Sequence, residues 1–249
     1  MRGRRLRHRV MRRIAFLHGF TQTHHHWQHV AHAVAERVGD STLVLPDLPG
    51  HGLSAADERD IDRTAAALAT SIGPATYVGY SMGGRIALHT ALLDGSPDER
   101  LVLIGATPGI ADEAEREERR RLDDERADHI ERVGVDAFLD EWLAAPLFAT
   151  LPPDPDGLLH RRRNTAAGLA HSLRTAGTGV QRSRWSELER ITVPVLVIAG
   201  ALDTKFTVIG LRMTEALPNA TFVSIDGAGH AAHSEHPGAV ADTIATWLP

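Results

Sequence analysis

The sequence predicts an α/β fold: a mostly parallel sheet flanked by helices on both faces, with a helical cap inserted over one end. Three observations carry this reading. Six short apolar runs alternate with amphipathic stretches of helix length, the pattern of a parallel sheet covered on both sides. The interval from Gly109 to Arg190 holds charged helical stretches and loops but no convincing buried strand. The third apolar run leads directly into "GYSMGGR", where Gly79, Ser81 and Gly83 fit G-x-S-x-G, the sharp strand-to-helix turn that exposes a nucleophilic serine.

In chain order the strand candidates are Arg13 to Phe20, Ser41 to Asp47, Ala75 to Ser81, Arg100 to Ala106, Pro194 to Gly200 and Ala220 to Gly227. Helix-length segments separate most of them, among them His25 to Val38, Gly83 to Leu93 and His236 to Leu248. The interval at about 109–190 reads as a cap over the strand ends, where sheets of this kind bind ligands. One domain spanning 1–249 is expected, because 249 residues can form a single core in this class. Residues 1–12 read as a basic extension, solvated rather than anchored to an anionic surface.

Composition narrows the function. A net charge of −5 argues against a nucleic-acid partner, and no cysteine is present, which excludes thiol catalysis, disulfides and cysteine-ligated zinc. No apolar stretch is long enough for a signal peptide or a membrane span, so a cytoplasmic protein is expected. Nothing in the sequence sets an oligomeric state. The cluster "THHH" invites a metal reading, since His25 and His29 would share a helical face, but no acidic third ligand stands nearby and no metal or cofactor is expected.

A serine needs a base, and the base needs a group that holds its tautomer and stabilises its cation. Asp203 lies just beyond "PVLVIAG" and His230 ends the turn "GAGH" after the last apolar run, so both can be brought by loops to Ser81. His233 is a supporting candidate, and Asp226 reads as a turn residue before Gly227. The loop "HGFTQT" can supply one oxyanion amide from Phe20, with a second from Met82. Arg85, four residues after Ser81, puts a permanent cation on the serine's own helical face, for which simple ester hydrolysis has no evident use.

Together these residues resemble the α/β-hydrolase superfamily and, within it, the 2-succinyl-6-hydroxy-2,4-cyclohexadiene-1-carboxylate synthases of menaquinone biosynthesis. The similarity runs from about Ile14 to Leu248. "LHGF", "DLPGHGLS" and "GAGH" are general marks; "GYSMGGR", "ATPGI", "DTKF" and the cap string from Asn164 to Trp185 are more specific. The resemblance implies an α/β-hydrolase fold and a lyase that removes pyruvate from an enolpyruvyl-bearing cyclohexene. It assigns Ser81, Asp203 and His230 to proton abstraction rather than to an acyl-enzyme. A small polycarboxylate substrate calls for fixed cations, since guanidinium forks hold carboxylates. Arg85 is the first candidate, followed by Arg116 with Arg119 or Arg120 from one cap helix. Tyr80, Trp142 and Phe148 are candidate wall residues, and Arg174 and Lys205 match family motifs or tie cap to core. Two departures stand out: Ala201 occupies a position that is commonly acidic, and the usual first hairpin is missing. The alternatives are a serine hydrolase with the same triad, which would form an acyl-serine, and a receptor without turnover, which would tolerate loss of Ser81.

Overall fold

The computed structural model describes residues 12–249. The extension expected over 1–12 lies outside the described residues except for Arg12, which already belongs to the first strand. Six strands form one parallel sheet: β1 (Arg12–Leu17), β2 (Ser41–Val44), β3 (Ala75–Tyr80), β4 (Asp98–Ile104), β5 (Val195–Gly200) and β6 (Ala220–Ile225). Their order across the sheet is β2-β1-β3-β4-β5-β6. β3 and β5 are buried along their whole length, as central strands covered on both faces must be.

Alternate residues feed two cores. Leu17, Tyr77, Leu101, Leu103 and Val197 face one side. There they meet α2 (Ile61–Ile72), α3 (Met82–Ala91) and α8 (Thr204–Ala216) through Ile61, Ile86 and Met213. Phe16, Val78, Val102 and Ile198 face the other side, against Val34 of α1 (Gln28–Val38) and Ile244 of α10 (Pro237–Trp247). This period-two division fixes the register, because a one-residue slip would exchange the two cores.

Between β4 and β5 stands the cap: α4 (Glu113–Val133), α5 (Val135–Leu143), α6 (Pro155–Arg161) and α7 (Ala166–Ala176). Asp112 caps α4 by accepting from the Glu115 amide at 2.8 Å, and Gly134 ends it at φ 81°. A third apolar cluster, Ile130, Phe138, Leu169 and Leu173, holds the cap helices together. After β6 a short helix, α9 (Ala232–Glu235), leads into α10.

The chain turns from β1 out to β2 and back to β3, so the crevice between the ends of β1 and β3 is a topological switch point. Here α3 packs so closely that a Cβ on Gly83 would lie 2.1 Å from the Leu17 carbonyl oxygen. Gly83→Ala is therefore expected to force backbone apart and destabilise the fold by about 3 kcal/mol, at the upper end of overpacking costs. Urea denaturation checks this.

The core carries a second load in its histidines. Burial lowers His18 to about 3, with His51 adding to the effect, and lowers His51 and His89 to about 4 and His233 to about 3. All four are neutral in the folded protein at pH 7, whereas an unfolded histidine titrates near 6.5. The unfolded chain therefore binds more protons below that pH, and stability falls as the medium is acidified from about 6.5 toward 3. By pH 5 each group costs about 2 kcal/mol. Asp98 works the other way, because burial pushes it up to about 7 and its folded form keeps a proton that the unfolded one loses. Three or so uncompensated histidines suffice to exhaust an ordinary domain's stability. Unfolding followed by circular dichroism is expected to have its acid midpoint near pH 5.

Candidate active site

Ser81 follows β3 and precedes α3 with φ 48° and ψ −108°, a left-handed backbone that only the surrounding packing can impose on a residue with a side chain. The glycines make it possible: a Cβ on Gly79 would come within 2.4 Å of the Gly83 carbonyl oxygen. This sharp turn lifts the serine hydroxyl off the end of the sheet.

His230 reaches it from the loop after β6. Its Nε2 lies 3.3 Å from Ser81 Oγ, and its Nδ1 lies 2.7 Å from Asp203 Oδ2. Asp203 caps α8, with its other oxygen accepting from the Phe206 amide at 3.1 Å, so the carboxylate is held at both ends. With Nδ1–H donated to Asp203, Nε2 is left as an acceptor facing the serine hydroxyl. The three side chains form one hydrogen-bonded line. His233 stands behind it: fully buried, it packs on Tyr80 at 4.1 Å and on Trp27 at 4.6 Å, and its Nε2 lies 3.1 Å from Gln22 Nε2. Asp226 is an exposed turn residue, away from this line.

The hydroxyl opens into a cavity of about 510 Å³ between sheet and cap. Phe20, Tyr80, Met82, Trp142 and Phe148 contribute to its wall. The amides flanking Phe20 are tied down, Gly19 to Gln22 Oε1 at 3.0 Å and Thr21 to His51 Nε2 at 3.2 Å. The Met82 amide occupies the first position of α3, where no intrahelical acceptor exists.

Among the described residues five cations line the cavity, Arg85, Arg119, Arg126, Lys205 and Arg212, against two carboxylates, Asp112 and Glu115. Arg85 is only 6% exposed rather than a surface-cleft residue, and burial together with the nearby Arg119 lowers it to about 10. Among the described residues it has no ion-pair partner; its Nη1 donates to Gln181 Oε1 at 3.0 Å. Arg119 and Arg126 share the buried Asp123, at 2.8 and 3.2 Å. Arg126 also lies over the Trp142 ring at 5.4 Å, and Arg212 over Trp185 at 4.1 Å.

Two expected cap cations face elsewhere. Arg116 and Arg120 line a separate groove with Arg182, and Arg116 pairs with Glu113 at 2.8 Å. The reason is helical phase: 116 and 120 share one row of α4, whereas 119, 123 and 126 share the row turned toward the cavity. Arg126, which sequence reasoning missed, stood seven residues from Arg119, two turns along one face. Arg174 pairs with Asp128 and Glu131 within the cap, away from the cavity. The histidine run is drawn into other contacts: His24 pairs with Asp47 at 2.9 Å and His25 stacks on His160 at 3.5 Å. Among the described residues no group of three or more potential metal ligands occurs.

The family model for the alpha/beta hydrolases matches residues 14–243. The Bacillus subtilis (strain 168) protein assigned as a 2-succinyl-6-hydroxy-2,4-cyclohexadiene-1-carboxylate synthase is 34% identical, over 94% of this chain and 89% of its own length. The synthase of that name from Citrobacter koseri is 32% identical over 94% of this chain and 93% of its own. The chain belongs to this synthase branch of the alpha/beta hydrolase family.

MenH from S. aureus superposes with a TM-score of 0.87 at 33% identity, covering 95% of this chain and 93% of that one. A thermophilic esterase from Thermogutta terrifontis, at 22% identity and a TM-score of 0.74, shares the fold. The Ser81, Asp203 and His230 line stands where members of the superfamily assemble such triads, at the carboxyl ends of β3, β5 and β6. Among the described residues no helix is long and apolar enough to cross a membrane.

Proposed function

We propose that this chain eliminates pyruvate from 2-succinyl-5-enolpyruvyl-6-hydroxy-3-cyclohexene-1-carboxylate, giving 2-succinyl-6-hydroxy-2,4-cyclohexadiene-1-carboxylate in menaquinone biosynthesis. Substrate and product differ by the hydrogen on ring carbon 2, the enolpyruvyl group on carbon 5 and the position of the double bonds. The carbon-2 proton is adjacent to the succinyl ketone, so its removal puts charge on the ketone oxygen. His230 takes the proton of Ser81, and the serine oxygen takes the proton from carbon 2. Double bonds form at carbons 2–3 and 4–5, the carbon–oxygen bond at carbon 5 breaks, and pyruvate leaves as its enol once protonated from the imidazolium.

The observation that carries this reading is the triad line opening onto a cavity with five lining cations among the described residues, one of them buried and without a direct ion pair there, Asp123 reaching it only as a more distant charge. A substrate with three carboxylates supplies the missing negative charge. The amides of Phe20 and Met82 suit the ketone oxygen, a pair of donors worth roughly 3 kcal/mol each in such sites. Arg85 and Arg119 are assigned to substrate carboxylates, joined by Arg126, while Tyr80 and Trp142 form apolar walls for the ring. The lack of cysteine fits a cytoplasmic setting. Substrate deuterated at carbon 2 tests the chemistry: pyruvate release under single-turnover conditions should slow. An undiminished rate, together with an acyl adduct on Ser81, would instead favour a hydrolase.

A further inference from the structure

Gln181 is 1% exposed and lies on the segment that returns from α7 toward the sheet. Its Oε1 accepts from Arg85 Nη1 at 3.0 Å. A guanidinium only donates, so the carbonyl end of the amide must face it and Nε2 must point away. That Nε2 is buried and finds no acceptor among the described residues. It lies behind the cavity wall, since a Cβ on Gly109, a lining residue, would lie 3.4 Å from it.

Two costs therefore coincide at one side chain: a buried cation with no direct ion pair among the described residues, Asp123 acting on it only from farther off, and a buried amide nitrogen left without an acceptor. Glutamate, identical in shape, would remove the N–H donors that find no acceptor and set a full negative charge against the arginine in a forked pair. The cap shows that choice made elsewhere. Arg119 and Arg126 share Asp123, and Arg184 is held by Asp62 and Glu187. Only a neutral acceptor can orient a guanidinium while leaving its full charge for an incoming anion.

We propose that Gln181 is a positioning residue that sets specificity for an anionic substrate by holding the Arg85 guanidinium in place without neutralising it. The inference rests on the reading of Arg85 as an anchor for a substrate carboxylate. Stability is given up for binding at this position, so one substitution should move the two in opposite directions.

Gln181→Glu is expected to raise the midpoint of thermal unfolding, to raise KM for the enolpyruvyl substrate about 100-fold, and to leave kcat within a few-fold. Gln181→Met, which keeps the volume but cannot accept, should raise KM about 10-fold with no gain in stability. A merely structural glutamine would not raise stability and KM together. Gln181→Glu with KM within twofold of wild type, or with a lower unfolding midpoint, would overturn the inference. Arg85→Ala, measured alongside, separates the two levels. An unchanged KM there removes the anchor reading itself, whereas a raised KM there with an unmoved Gln181→Glu removes only the role of Gln181.

Discussion

Ser81→Ala should lower kcat/KM by about 10³-fold or more, His230→Ala should do the same, and the double variant should be little worse than either alone. The three side chains act as one hydrogen-bonded line, 2.7 Å at the aspartate end and 3.3 Å at the serine end, so removing any link removes the base. KM should change little, because the proposed function assigns the carboxylates of the substrate to the arginines and not to the triad. The backbone adds an independent check. Ser81 holds φ 48°, a conformation costing about 1–3 kcal/mol for a residue with a Cβ. Ser81→Gly should therefore be inactive yet more stable than Ser81→Ala by about 1 kcal/mol, which paired urea titrations and rate assays would show.

Arg85→Ala should lower kcat/KM by about 100-fold, chiefly through KM, while the fold loses little or no stability. Ordinary reasoning about a 6% exposed residue would predict a costly cavity. Here the same change also removes a buried charge that has no carboxylate partner among the described residues, and the two effects oppose each other. Arg85→Met, which refills the volume, should be at least as stable as wild type and equally poor in binding. Arg85→Lys should recover only part of the affinity, because an ammonium cannot form the bidentate fork. Steady-state kinetics with thermal unfolding on the same preparations separates these outcomes.

The hydrogen-bonded line of Ser81, His230 and Asp203 could be anticipated from the sequence because each of the three follows the end of an apolar run, and the fold places all those ends on one edge. All six runs became strands, with differences confined to their ends. β4 begins at Asp98 rather than Arg100, where the Thr90 hydroxyl donates to a buried carboxyl that no apolar pattern could signal. The cap was harder. α4 is charged on nearly every face, and among its buried residues only Ala127 and Ile130 are apolar, so the row turned inward could not be told from the rows turned out. Only the packing of α7 and the burial of Asp123 select Arg119 over Arg116 and Arg120. Gln181 stood inside the family-specific string, but the meaning of a neutral side chain beside an arginine appears only when both are seen to be buried.

The most direct measurement follows pyruvate and the cyclohexadiene together, starting from the enolpyruvyl substrate, in wild type and in Ser81→Ala. Wild type should release the two products in equal amounts, with no covalent adduct on Ser81 in the intact mass during turnover, and Ser81→Ala should release neither above the uncatalysed rate. Pyruvate formation at the same rate in both proteins, or none in wild type alongside rapid hydrolysis of an activated ester through an acyl-Ser81, would contradict a triad-assisted elimination.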